Sequence, residues 1–217
     1  MIIEPIQCEG GDNFFRKEFL QELRTITLEN EIMLMFDEVQ SGFGITGKFW
    51  AYEHYIKPDI IAFGKKSQQC GIMVSDMIDE IEENCFNISG RINSTWGGNL
   101  IDMVRSKQIL DVMEEEKLVE NSRNRGKYLI KRLYEIQSQF PKLLSNSRGL
   151  GLLCAFDFPT PELRNKFSET CEKEKLLILG CGTKTIRFRP MLNITDDELE
   201  EGLQIIEKVL RIMSSNK

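Results

Sequence analysis

The chain holds one histidine in 217 residues, so a histidine-ligated metal or a histidine-dependent nucleophile has almost nothing to be built from. Six cysteines are present, at Cys8, Cys70, Cys85, Cys154, Cys171 and Cys181, and none falls in C-x-x-C spacing. A thiolate metal knuckle or a paired redox centre is thereby excluded. Free thiols in a reduced, cytoplasmic setting are expected. No apolar run approaches the ~18 residues needed to span a bilayer, and Met1–Ile6 lacks the basic stretch and long apolar segment of a secretory signal. The formal net charge is −6, and no basic cluster offsets it, which argues against a nucleic-acid partner. Nor does any G-x-G loop open a helix to cradle a phosphate. What remains is ordinary for a soluble globular chain, 41% apolar and 29% charged, with ample length for a core.

The informative stretch runs from Met33 to Gly71. Ile32–Phe36 and Asp59–Phe63 are short apolar runs bounded by turn signals, the pattern of buried strands in a parallel sheet. The first ends in Asp37 and the second in Gly64-Lys65, so an acid and an amine are carried to one sheet edge. Ligands of open α/β sheets sit outside the carboxyl ends of the strands. A carboxylate facing a lysine suits pyridoxal 5'-phosphate, whose aldehyde condenses with a lysine amine and whose ring nitrogen stays protonated beside an acid. Spacing alone fits an ordinary strand-end salt bridge as well.

Four stretches carry a resemblance. F-D-E-V-Q-S-G-F-G-I-T-G followed by P-D-I-I-A-F-G-K-K, E-P-I-Q-C-E-G-G-D at Glu4–Asp12, R-I-N-S-T-W-G-G-N at Arg91–Asn99, and I-R-F-R-P at Ile186–Pro190 together resemble the class III (ω-amino acid) aminotransferases. The S-T-W-G-G-N and F-G-K-K-S-Q-Q-C-G runs resemble the lysine-using members more than those acting on ornithine or 4-aminobutyrate. The resemblance implies fold type I, an α/β fold, with pyridoxal 5'-phosphate as cofactor and a homodimer sharing its active sites. It implies transfer of the ε-amino group of L-lysine to 2-oxoglutarate, giving 2-aminoadipate 6-semialdehyde and L-glutamate. Lys65 then carries the cofactor and moves the proton, chosen over Lys66 because it follows F-G in the register of the family motif, and Asp37 holds the ring nitrogen. Gln40 lies by the ring hydroxyl and near substrate, although by itself it is a turn residue. Ser94 and Thr95 bind the cofactor phosphate across the dimer, with Asn93 beside the substrate; without a cofactor Thr95 is simply a helix N-cap. Arg187 binds a substrate carboxylate, and Glu9 neutralises it when a cationic substrate is bound. The plain reading of Glu9 is a solvated loop acid. Cys8 stands where the family usually has glycine, and crowding of its loop is expected.

Members of this family are roughly double this length, so the resemblance implies a C-terminal half, poorly active alone. Residues 1–114 correspond to the C-terminal part of the large parallel-sheet domain and 115–217 to a small C-terminal α+β domain. A catalytically silent, dimerising fragment is the alternative of a different kind. Along the chain the periodicity predicts a helix over Phe14–Asn30 capped by Asp12 or Asn13, a short helix at Phe49–Tyr55 and another at Ile78–Asn84. Long helices are predicted at Asn99–Glu116, with Met103, Ile109, Leu110 and Met113 on one face, and at Val119–Phe140. A strand pair follows over Leu144–Phe158 with its turn at Arg148–Gly151, then a helix over Pro161–Lys175, strands at Leu176–Leu179 and Thr185–Phe188, and a closing helix Asp196–Met213 opened by the capping box Thr195/Glu198.

Overall fold

The computed structural model describes residues 1–92 and 95–215. The first sheet has the order β1-β4-β5-β6, with β1 Ile2–Ile3, β4 Met35–Asp37, β5 Ile60–Phe63 and β6 Gly71–Val74. β1, β4 and β5 are parallel, and β6 is antiparallel to β5. Helix α1, Lys17–Glu29, covers this sheet through Leu20, which packs with Leu34 and Phe36. The helix begins later than its periodicity predicts. Asn13–Phe14 form β3, which pairs with β2 at Ile6–Gln7. Asn13 donates to Gln7 Oε1 at 2.7 Å, and Asp12 is fully buried against Arg189, so neither caps the helix. Both side chains are engaged in tertiary contacts that local sequence does not reveal.

Phe49–Tyr55 contains a single 3-10 turn at Ala51–His54, and the segment expected to be helical from Ile78 is a 3-10 turn at Asp76–Glu80. Helix α2, Leu100–Glu115, is capped by Asn99, whose Oδ1 accepts the Ile101 N–H at 3.0 Å; Thr95 is not the cap. Of the face expected to be apolar and covered, Met113 is buried while Met103 and Leu110 are exposed.

The second sheet has the order β7-β8-β10-β9, comprising β7 Ser145–Leu150, β8 Leu153–Asp157, β9 Leu179–Cys181 and β10 Thr185–Phe188, all antiparallel. Its turn lies at Gly151–Leu152, so Arg148 belongs to the strand and not to the turn. Helices α3 (Leu118–Gln139), α4 (Pro161–Lys173) and α5 (Asp196–Ser215) enclose it. The capping box forms as expected, with Thr195 N–H on Glu198 Oε2 at 2.8 Å and Glu198 N–H on Thr195 Oγ1 at 3.3 Å. Leu129, Leu133, Phe156, Phe167, Ile206 and Leu210 make one continuous core here, each worth about 1.5–3 kcal/mol of burial.

The loop leaving the first sheet is bound into this second unit. Ile45 O accepts the Leu152 N–H at 2.8 Å and the Ser122 hydroxyl at 2.8 Å, and Arg123 Nε donates to Gly47 O at 3.0 Å. A Cβ on Gly126 of α3 would fall 2.2 Å from the Gly151 carbonyl carbon, so helix and turn touch backbone to backbone. Among the described residues no helix is long and apolar enough to cross a membrane.

Candidate active site

Two chain regions meet at the site, the carboxyl edge of β4 and β5 and the row of side chains across β7, β8 and β10. At the first, Asp37 pairs in parallel register with Ala62, and Glu38 N–H extends the ladder to Ala62 O at 2.9 Å. Asp37 is half-buried, and its Oδ1 takes the Val39 N–H at 3.0 Å, leaving Oδ2 for another donor. Lys65 follows three residues after Ala62 and is exposed. The topology therefore brings Asp37 and Lys65 to one strand edge, as read from the sequence. Gln40 is half-buried, and its backbone carbonyl accepts Lys66 Nζ at 2.5 Å. Burial pushes the Lys66 amine down to about 8, with the nearby Arg189 charge adding to the effect.

Glu38, next to Asp37, is fully buried and does something the sequence did not advertise. Its carboxylate accepts the Ala51 and Tyr52 N–H groups at 2.6 and 2.8 Å, closing the start of the 3-10 turn. Burial pushes its acid up to about 7, against the pull of those two N–H donors. His54 is an ordinary side chain of that turn, its Nε2 3.1 Å from Thr46 Oγ1.

At the second region, alternation in β strands places residues i and i+2 on one face. Arg148 lies opposite Ala155, and Ala155 lies opposite Arg187, so a small residue sits between two arginines. Asp157, two residues on, accepts Arg148 Nη2 at 2.9 Å and the Thr185 hydroxyl at 2.7 Å. Arg148 also donates to the carbonyls of Gly11 (2.5 Å) and Asp12 (2.8 Å), and Arg189 pairs with the Asp12 carboxylate. Burial works against the Arg189 cation, but the Asp12 carboxylate outweighs it and keeps the guanidinium charged. The Gly182 N–H donates to Glu9 O at 2.8 Å. So fastened, the loop presents Glu9 to Arg187, Oε2 to Nη1 at 2.6 Å. Arg187 is largely buried while the Glu9 side chain is 69% exposed. The two residues that sequence reading paired do meet. Arg148, Arg189, Asp12 and Glu38 were missed, though the i, i+2 spacing in R-F-R already put two arginines on one face.

Cys8 is accommodated without crowding: it is fully buried, its Sγ lies 3.4 Å from Ile6 O, and burial pushes its thiol up to about 11. All six cysteines are free. Thr95 is exposed, and Asn93 and Ser94 lie outside the described residues.

The aminotransferase class-III family model matches residues 1–210. The chain belongs to the class III aminotransferases. An L-lysine-epsilon aminotransferase of Mycobacterium tuberculosis is 43% identical over 214 residues, covering 98% of this chain and 48% of that protein. The solved structure of lysine aminotransferase from M. tuberculosis in the internal aldimine form superimposes with a TM-score of 0.95 at 43% identity, over 97% of this chain and 49% of the other. A mitochondrial 4-aminobutyrate aminotransferase of Sus scrofa is 35% identical over 213 residues, covering 97% of this chain and 41% of the relative. The chain thus spans about half the length of the curated relatives it matches. The α/β fold is that of part of a fold type I enzyme, and the family's cofactor is pyridoxal 5'-phosphate. The donor set suits the ring end of that cofactor: one free carboxylate oxygen on Asp37, an exposed amine on Lys65 and an amide on Gln40. For the phosphate end the described residues offer the exposed hydroxyl of Thr95.

Proposed function

We propose that this chain is the C-terminal part of a cytoplasmic, pyridoxal-phosphate-dependent enzyme transferring the ε-amino group of L-lysine to 2-oxoglutarate, with 2-aminoadipate 6-semialdehyde and L-glutamate as products. The observation that carries the proposal is the parallel register of β4 and β5, which delivers Asp37 and Lys65 to one edge. When bound, the cofactor supplies an electron sink for loss of a proton from the carbon bearing the amine. Lys65 carries the cofactor and, when its amine is free, accepts and returns that proton. Asp37 Oδ2 keeps a proton on the ring nitrogen by charge and hydrogen bond. Gln40, Ser94 and Thr95 hold the ring hydroxyl and phosphate, and Gln40 and Asn93 flank the substrate. Residues 1–114 supply the cofactor-binding part and 115–217 the smaller domain.

Substrate choice rests on Glu9 and Arg187. L-lysine bound through its ε-amine has no carboxylate on the reacting carbon, its one carboxylate lying at the far end of the molecule, and Glu9 then occupies Arg187. 2-Oxoglutarate brings a second carboxylate, which Arg187 binds bidentately once Glu9 withdraws. An ion pair with one highly exposed partner is worth only about 0.2–1 kcal/mol, so the mask opens at small cost. Ile72, Met73, Met77, Phe86, Trp96, Leu100 and Ile101 are all exposed within one stretch of sequence, which suits a homodimer interface.

The test is an absorption spectrum with added pyridoxal 5'-phosphate before and after borohydride, followed by peptide mapping and a comparison of amino donors. A reduced adduct on Lys65, lost in Lys65→Ala, with L-lysine favoured over ornithine and 4-aminobutyrate, is expected. No adduct on the chain, or a preference for either other donor, refutes the proposal at the cofactor or the substrate level respectively.

A further inference from the structure

Two consecutive lysines follow β5, and a carbonyl cofactor will condense with whichever amine is free, uncharged and within reach. The two are treated differently by the fold. Lys65 is exposed, whereas Lys66 is drawn inward, its Nζ on the Gln40 carbonyl at 2.5 Å. The contact links the end of β5 to a residue 26 positions earlier. It completes a set of ties on the turn after β4. The Glu38 N–H is held by Ala62 O, the Val39 N–H by Asp37 Oδ1, the Gln40 carbonyl by Lys66, and the Gly42 N–H by Glu38 O at 2.9 Å. The Lys66 stem lies along a cavity of about 300 Å³ walled by Ile109, Val112, Met113, Leu118 and Leu192, with Arg105 also in its lining. Apolar walls remove the amine from water, so its hydrogen bond to Gln40 is the polar contact that holds it. The charged or titratable groups around it are Cys8, Glu38, Lys65, Arg189 and Arg105, from the β2 loop, the β4 end, its own strand, the β10 end and α2.

Resting on the cofactor reading above, we propose that Lys66 is a positioning residue. Its ammonium pins the Gln40 carbonyl, which fixes the Asp37–Gln40 turn for the cofactor ring, and the same contact keeps Lys66 from competing with Lys65 for the aldehyde. A protonated amine that donates to a carbonyl has no lone pair for condensation, and near neutral pH most of the Lys66 population is in that form. The division of labour between neighbouring lysines is therefore set by which one the Gln40 carbonyl captures.

The experiment compares wild type, Lys66→Met, Lys66→Gln and Lys66→Arg of the 217-residue chain, using pyridoxal 5'-phosphate itself as the probe. Three quantities are read: the cofactor dissociation constant, the site of the borohydride-trapped adduct by peptide mass, and hydrogen exchange of the amides at 38–42 without cofactor. Lys66→Met is expected to weaken cofactor binding at least tenfold and to speed exchange at 38–42, with any residual adduct still on Lys65. Lys66→Arg, which keeps cation and donor, is expected to recover most of the affinity and the protection. A loss of folding in Lys66→Met shifts the test to the Gln and Arg pair, whose charge difference alone must then separate their affinities. Equal affinity and equal exchange in Lys66→Gln and wild type overturn the inference, as does an adduct on Lys66. A wild-type chain trapping no adduct on either lysine overturns the cofactor reading and this inference with it, whereas a Lys65 adduct that is indifferent to Lys66 overturns this inference alone.

Discussion

The part of the chain from α3 to α5 and the part from β6 through α2 are built to opposite rules. The first closes on itself: β8 is buried along its whole length, and α3, α4 and α5 each lay an apolar stripe against the sheet. The second has comparable apolar content and leaves much of it in solvent, with Trp96 at 79% and Leu100 at 80% exposure. Its helix lacks a buried stripe, and Met113 is its one buried residue. Single exposed apolar residues are common on any surface, but so many within one stretch of chain are not. The contrast teaches that similar apolar content can be closed into a core in one stretch and left in solvent in another, and the homodimer proposed above would give the second stretch its cover.

Four changes break or sharpen that contrast. Phe156→Ala, in the middle of β8, is expected to cost about 4 kcal/mol in urea denaturation; a loss below about 1 kcal/mol would mean that the closed core is loosely packed. Arg148→Ala leaves Asp157 buried without its cation and frees the Gly11 and Asp12 carbonyls, at about 3 kcal/mol. It is also expected to detach Glu9 from Arg187, seen as faster hydrogen exchange at residues 9–12. The third change concerns the site-bearing sheet and is a pH effect. Glu38 has a folded-state pKa raised from 4.5 to about 7, so the folded chain holds a proton that the unfolded chain releases. Its stabilising contribution is complete below about pH 4.5 and is lost as pH rises through 7. The stability of wild type minus that of Glu38→Gln should therefore fall by about 2 kcal/mol from pH 5 to pH 8. A flat difference would show that Glu38 titrates normally. The smallest effect is assigned to the open tract: Trp96→Ser with Leu100→Ser should change the stability of the folded chain by no more than about 0.5 kcal/mol. Sedimentation should nonetheless show weakened self-association, and an unchanged oligomeric state would remove that tract from the interface.

The sequence made the parallel strands and their charged ends legible because buried strands read as unbroken apolar runs and the side chains at their exits are constrained by sheet geometry. The closing helix, with its capping box, was legible for the same local reason. The Glu9–Arg187 pair came from the family resemblance, since 178 residues separate the partners and nothing local joins them. The start of α1 was misread because Asp12 and Asn13 look like caps, while a buried arginine and a glutamine compete for them more strongly. The role of Arg148 was illegible for a related reason. A turn was expected around R-G-L-G, and only strand register shows that its guanidinium shares a face with Asp157 and Arg187. The two lysines after β5 are told apart in the sequence only by the F-G register of the family motif, and the contact of Lys66 with the Gln40 carbonyl shows only in the structure.

The backbone contact between Gly126 and Gly151 has a consequence for how the two sheets are held together. Helix α3, the β7–β8 turn and the strip from Ile45 to Gly47 are clamped with no side chain between them. The spacing of helix, turn and strip is thus set in main-chain thicknesses, and no side-chain rotamer at the seam can relieve it. A methyl group inserted at that seam, as in Gly126→Ala, would act as a shim and widen the gauge. The loop that follows β4 is consequently held against the second sheet at a distance that the backbone alone decides.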